Sequence, residues 1–264
     1  MWSIFWRELF TTPVSCDIIR TAEQYRIRKR ESDAPVRIGG LQKLTLLDYP
    51  GKVACTVFTV GCNFRCPFCH NAALVTHTDD AGDFPLDNVL AFLEKRRGIL
   101  EGVCLTGGEP LIWPETAAFL EQVKAMGFAV KLDTNGAYPA RLSEILEKGF
   151  ADYVAMDIKN SPEKYAETSG SGTALRSVEE SVLLLLNGKV PYEFRTTVVK
   201  GLHTPEDIEK IGRWIYGAKQ YYLQAFRDSG DLIGNGLAGF SAKEMSELLC
   251  AAKKYLPNTE IRGE

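Results

Sequence analysis

The chain has 264 residues, of which 45% are hydrophobic and 25% charged, with a net charge of −3. That length suits one large α/β domain, and the near-balanced charge offers no basic face for broad nucleic-acid binding. No apolar run approaches the roughly 18 residues of a membrane span, so neither a membrane nor a nucleic acid is expected as partner.

Residues 1–36 stand apart from the rest. The first sixteen are apolar in patches, but Arg7 and Glu8 interrupt them. No basic segment precedes an unbroken apolar one, as a signal peptide requires, and a cytoplasmic location is expected. One short helix is expected over residues 4–10. Residues 20–37 are polar and charge-dense around RIRKRES, without sustained periodicity. They read as a poorly ordered or loosely attached extension, solvated rather than a binding tail.

From Arg37 a regular alternation begins. Runs rich in β-branched and aromatic residues predict strands at 53–60, 103–106, 129–134, 153–158, 192–199 and 221–226. Helical spacing occupies 86–97, 114–126, 140–148, 174–187 and 205–216, and a last helix is predicted over 241–255. Ser241 followed by Glu244 is a capping-box pattern for it. Six strands alternating with six helices imply βα units and a parallel sheet. The nearly continuous apolar run at 53–60 agrees, because parallel strands are buried on both faces. A closed barrel needs eight strands, so the predicted fold is α/β: a partial, open (β/α)6 TIM-like barrel over residues 37–264, with no internal repeat.

Each early strand ends in polar chemistry. Gly61-Cys62 follows the first, Gly107-Gly108-Glu109 the second and Asp133-Thr134-Asn135 the third, while the fourth runs into Asp157 and Lys159. Parallel α/β folds bind ligands at those carboxyl ends.

Of seven cysteines, Cys16, Cys55, Cys104 and Cys250 are scattered, whereas Cys62, Cys66 and Cys69 crowd into GCNFRCPFCHN. In a cytosolic chain such a cluster binds metal or does redox chemistry more often than it forms disulfides. Cys55 and Cys104 lie in apolar runs and read as small buried hydrophobes. Three thiolates can ligate three irons of a cubane, and full protein ligation would need four. The fourth iron would keep an open position, the logic that separates catalytic from structural zinc sites. A structural zinc site would want a second ligand pair, and His70 directly beside Cys69 is an awkward fourth ligand.

The spacing C-x3-C-x2-C, with Phe68 before the last cysteine, resembles the signature of the radical S-adenosylmethionine (SAM) superfamily. Thr106-Gly107-Gly108-Glu109-Pro110 resembles its glycine-rich motif. The resemblance implies one [4Fe–4S] cluster on Cys62, Cys66 and Cys69, whose open iron chelates SAM. Reduction then cleaves SAM to a 5′-deoxyadenosyl radical, with the protein positioning and shielding cofactors that carry the difficult chemistry. Gly107 and Gly108 would lie along the amino group of SAM, with Glu109 anchoring their loop.

Within that superfamily the chain resembles the activating enzymes of glycyl radical enzymes. Cys69-His70-Asn71 matches their habit, DTNG at 133–136 and MDIK at 156–159 resemble conserved pieces of that group (the second commonly Asp-Leu-Lys), and LDYPGKVACTVFTVGC at 47–62 resembles their lead-in, with departures at Tyr49 and Lys52. This implies SAM-site roles for Phe68, His70, Thr134, Asn135, Asp157, Lys159, Arg195 and Arg227, and a monovalent cation beside SAM on Asp133, Thr134 and Asp157. Lys159 suits a carboxylate or ribose as a point-charge donor. The competing reading pairs Asp133 and Asp157 with Lys159, and alternation alone leaves open which face of its strand Arg195 occupies.

The segment 38–71, YYLQAFR at 221–227 and a PN-x-E-x-RG ending resemble the long form that serves anaerobic ribonucleoside-triphosphate reductase. That likeness covers residues 38–263 and implies abstraction of a glycine Cα hydrogen on a partner protein, with flavodoxin or ferredoxin as electron donor. No cysteine-rich insert lies between Asn71 and Thr106, so one cluster is expected. The alternatives are a radical SAM enzyme for a small molecule (deazaguanine-synthase-like) or a peptide, an activase of another glycyl radical enzyme such as pyruvate formate-lyase, and a non-catalytic iron–sulfur or zinc module.

Overall fold

A computed structural model of the chain describes residues 36–79, 84–228 and 230–263. The expected helix over 4–10 and the rest of the extension lie outside the described residues, apart from Val36, which is buried in the core.

Among the described residues the sheet has eight strands in sequence order: β1 (Ile38–Thr45), β2 (Ala54–Thr59), β3 (Gly102–Gly107), β4 (Ala129–Thr134), β5 (Tyr153–Asp157), β6 (Tyr192–Val198), β7 (Tyr221–Ala225) and β8 (Thr259–Arg262). All six predicted strands are present as β2 to β7, and each pairs in parallel with the next. The structure adds one strand at each edge, β1 antiparallel to β2 and β8 parallel to β7. The result is the partial TIM-like barrel expected, with a mixed sheet. β1 hides in sequence because Gly39, Gly40, Gln42 and Lys43 break any apolar run, as edge strands often do. β8 is four residues long, too short for a period to show.

The described residues form eight α-helices: α1 (Ala72–Thr76), α2 (Leu86–Glu94), α3 (Thr116–Ala125), α4 (Pro139–Glu147), α5 (Tyr165–Ser169), α6 (Leu175–Asn187), α7 (Pro205–Trp214) and α8 (Ala242–Lys253). The six helices predicted beyond residue 36 are all found, and among the described residues only the five-residue α1 and α5 have no predicted counterpart. α8 begins as expected, with Ser241 and Glu244 in a reciprocal capping box, and α7 begins the same way on Thr204 and Asp207. Such caps satisfy amide donors that a helix start otherwise leaves bare.

Alternation along the strands sorts the side chains. Val57, Val103, Leu105, Val130, Leu132, Val154, Phe194 and Leu223 join Phe119, Leu120, Val123, Val178 and Ile208 in one buried apolar cluster between sheet and helices. The other face carries polar groups: Lys131 and Asp133 on β4, Asp157 on β5, Glu193 and Arg195 on β6. That concave face leads up to the strand ends.

Candidate active site

The loop after β2 turns at Gly61, whose φ of +88° only glycine adopts easily. Its path is pinned at several points. Gly61 N–H donates to Leu74 O at 2.8 Å, Trp113 Nε1 to Val60 O at 2.9 Å and Arg65 N–H to Ser169 O at 2.8 Å. The Arg65 guanidinium folds back onto Cys62 O (2.7 Å) and Phe64 O (2.8 Å). So held, the loop brings Cys62, Cys66 and Cys69 to the wall of one cavity of about 240 Å³. All six described cysteines are free thiols.

Burial pushes the Cys62 thiol up to about 12 and Cys66 up to about 11. They stay protonated until a metal takes the proton's place, because the thiolate is the ligand. Among the described residues no three Cys, His, Asp or Glu side chains are gathered around one metal ion. Three thiols lining a shared cavity instead suit a cluster in which each binds a different iron, so the donor set fits a [4Fe–4S] centre with one open iron.

The glycine-rich turn after β3 abuts this loop backbone to backbone. A Cβ on Gly108 would stand 1.9 Å from Gly61 O, and Gly107 sits at φ +120°. Gly108 N–H donates to Thr59 O (2.9 Å), Glu109 N–H to Gly61 O (2.8 Å) and Asn71 Nδ2 to Gly107 O (2.8 Å). Glu109 is fully buried, and its carboxylate accepts from Leu111 N–H (3.0 Å), the Thr134 hydroxyl (2.8 Å) and Asn135 N–H (2.6 Å). It thereby ties the end of β3 to the end of β4. Burial pushes its carboxyl up to about 7 against those bonds. Asn135 turns its amide to Asn63 Oδ1 (2.9 Å) and toward Cys62 Sγ (3.7 Å).

Deeper in the cavity the charges interlock. Register places Asp157 beside Arg195, and Arg195 Nε meets Asp157 Oδ1 at 2.8 Å while its Nη1 meets Asp133 Oδ2 at 3.2 Å. Arg195 therefore faces inward. Lys159 Nζ lies 3.1 Å from Asp157 Oδ2, and Lys131 pairs with Asp133 Oδ1. Burial alone would raise the Asp157 carboxyl, but Arg195 and Lys159 bring it down to about 2. Burial would likewise lower Lys159, and Asp157 and the Cys66 sulfur reverse this to a net rise. Both aspartates thus already meet two cations of the protein, and the Thr134 hydroxyl points at Glu109. The ion-pair arrangement is the one this structure holds.

Phe68 lines the cavity and packs edge-on to the His203 ring at 6.2 Å. His70 also lines it, hydrogen-bonding Arg227 O through Nε2 at 2.8 Å and stacking on Phe226. Of the anticipated site residues, only Arg227 does not reach the cavity: its Nε donates to Gly263 O at 3.0 Å, and only its carbonyl serves the site, through His70. Thr197 and Phe64 are wall residues that sequence reasoning missed. Thr197 lies two residues beyond Arg195 on one strand face, a signal that was available once Arg195 was placed inward.

A family model described as the Radical SAM superfamily matches residues 56–215. A candidate glycyl-radical enzyme activating enzyme of Methanocaldococcus jannaschii is 30% identical over 233 residues, covering 85% of this chain and 95% of that protein. The pyruvate formate-lyase-activating enzyme of Listeria monocytogenes is 27% identical over 190 residues, covering 68% of this chain and 75% of its own length. The GTP 3′,8-cyclase of Helicobacter pylori is 32% identical over 162 residues, 58% of this chain but 49% of the cyclase. Among solved structures, Streptococcus suis SuiB bound to S-adenosylmethionine superposes with a TM-score of 0.61 at 14% identity, over 77% of this chain and 48% of that one. At that identity it speaks for the fold alone.

Proposed function

The chain belongs to the radical SAM superfamily, among its glycyl-radical enzyme activating enzymes, and on that premise we propose that it activates an anaerobic ribonucleoside-triphosphate reductase by taking a hydrogen atom from one of its glycines. One observation carries the reading: Cys62, Cys66 and Cys69, the Gly107-Gly108 backbone and the Asp157–Lys159–Arg195 charges all face a single cavity.

In this reading the three cysteines hold the cluster, and the bound cluster supplies the electron that splits SAM. Gly107 and Gly108 let the methionyl amino group approach the backbone, since a side chain there would strike Thr59 and Gly61. Lys159 and Arg195 are the cations for its carboxylate, and Phe68, His70, Thr134 and Asn135 complete the wall. A monovalent cation on Asp133, Thr134 and Asp157 belongs to the reading only if it displaces Arg195, Lys131 or Lys159 from those carboxylates. A low-potential flavodoxin or ferredoxin in the cytoplasm would reduce the cluster; among the described residues no helix is long and apolar enough to cross a membrane.

The choice of reductase rests on the likeness of residues 38–71, 221–227 and the C-terminal ending to the long-form activases. The test is anaerobic incubation of the iron-reconstituted protein with SAM, reductant and the reductase, followed by electron paramagnetic resonance. A doublet on the reductase supports the reading. A doublet only on pyruvate formate-lyase would reassign the partner, and turnover of SAM with a small molecule alone would move the chain to the cyclase-like side of the superfamily.

A further inference from the structure

At the cavity wall, one guanidinium is surrounded by three carboxylates. Arg195 bonds Asp157 and Asp133, and its Nη1 also lies 4.0 Å from Glu193 Oε1. Glu193 is fully buried. Its oxygens are taken by a second arginine: Arg262 Nη1 meets Oε1 at 2.6 Å and Nη2 meets Oε2 at 2.9 Å. Oε2 also accepts the Tyr153 hydroxyl at 2.8 Å. Arg262 ends β8, with its guanidinium carbon 3.2 Å from the centre of the Tyr222 ring, and the chain just beyond it is tied by Arg227 Nε to Gly263 O at 3.0 Å.

A buried carboxylate demands a cation, and removing one partner of such a pair leaves a costly bare charge. Arg262 satisfies Glu193 in the bidentate geometry that arginine favours. That leaves Arg195 a full 4.0 Å above Glu193 and free to hold Asp133 and Asp157 at the cavity. Were Arg262 absent, Arg195 would be the remaining arginine beside Glu193, and closing that gap would draw it down and away from the cavity.

We propose that Arg262 on the C-terminal strand is a positioning residue: by occupying Glu193 it keeps the Arg195 guanidinium raised into the SAM cavity, so β8 is a working part of the site and not only a sheet edge. The inference rests on the reading above in which Arg195 serves SAM.

The test is equilibrium binding of SAM to the cluster-reconstituted protein by calorimetry, on variants matched for iron content and checked for folding by circular dichroism. Arg195→Met and Arg262→Met should each weaken binding about ten-fold or more, the equivalent of losing one hydrogen bond to a charged group. Arg262→Lys should keep most of the affinity. The decisive variant is Arg262→Met combined with Glu193→Gln, which removes the charge that would pull Arg195 down. It should restore binding to within about three-fold of wild type. A crystal structure of cluster-free Arg262→Met should show Arg195 within hydrogen-bond distance of Glu193. Unchanged binding in Arg262→Met, no recovery in the double variant, or an Arg195 that stays put would each overturn the proposal. Unchanged binding in Arg195→Met would instead overturn its premise about SAM, and a wild-type protein that binds no SAM would remove the functional reading beneath both.

Discussion

Replacing Gly108 with alanine would put a methyl group 1.9 Å from Gly61 O and 2.6 Å from Gly61 C, where real Cβ contacts stay beyond 3.0 Å. Both obstacles are backbone, so no side chain can rotate away, and the ends of β2 and β3 must part by the difference. The bonds at stake are Gly108 N–H to Thr59 O and Glu109 N–H to Gly61 O, at 2.9 and 2.8 Å. At about 1 kcal/mol for each hydrogen bond and about 1–3 kcal/mol for overpacking, the expected loss is about 3–5 kcal/mol. For a domain of this size that corresponds to a fall in Tm of about 10 °C. Because the displaced carbonyl adjoins Cys62, iron retained after anaerobic reconstitution should fall as well. Gly127→Ala is the control: its φ is +92° but its Cβ would meet nothing within 4 Å, so only a backbone cost of about 1–2 kcal/mol applies. A Gly108→Ala protein with wild-type Tm and iron content, or one no worse than Gly127→Ala, would refute the reasoning.

Glu109→Gln should destabilise the fold by about 1–3 kcal/mol in urea titration, since one of its three donors must face an amide NH2 in place of a carboxylate oxygen. His70→Ala removes the bond to Arg227 O and the stack on Phe226; exchange of the Gly234 amide, which donates to Pro67 O at 2.7 Å, should quicken while the α7 amides keep their rates. Asp207 gives a pH signature. Burial alone would raise its carboxyl, but Lys164 at 2.7 Å and the Thr204 cap lower it. A depressed acid contributes stability above its unfolded value, near pH 4, and loses it as pH falls below that. The Tm gap between wild type and Asp207→Asn should therefore narrow on acidification from neutral pH. A gap that widens would contradict the assignment.

The parallel strands were legible because burial on both faces writes them as apolar runs, and the cysteine loop because its ligands are neighbours in sequence. What sequence could not display depends on register between distant strands. Arg195 meets Asp157 only because β5 and β6 pair in one alignment, and Glu193 meets Arg262 across 69 residues of chain. Lys131, two residues before Asp133, is buried against that aspartate, a pairing that no sequence motif marks. Arg227 shows the converse: the family resemblance implied a site role, and its side chain donates to the C-terminal backbone at Gly263.

The most direct test of the account uses a reductase labelled with deuterium at its glycine Cα positions. Mixed anaerobically with the reconstituted protein, reductant and SAM, it should yield 5′-deoxyadenosine carrying one deuterium, in step with a radical on the reductase, and Cys62→Ser, Cys66→Ser or Cys69→Ser should abolish both. Undeuterated 5′-deoxyadenosine with no radical on the reductase, or undiminished product from a cysteine variant, would contradict it.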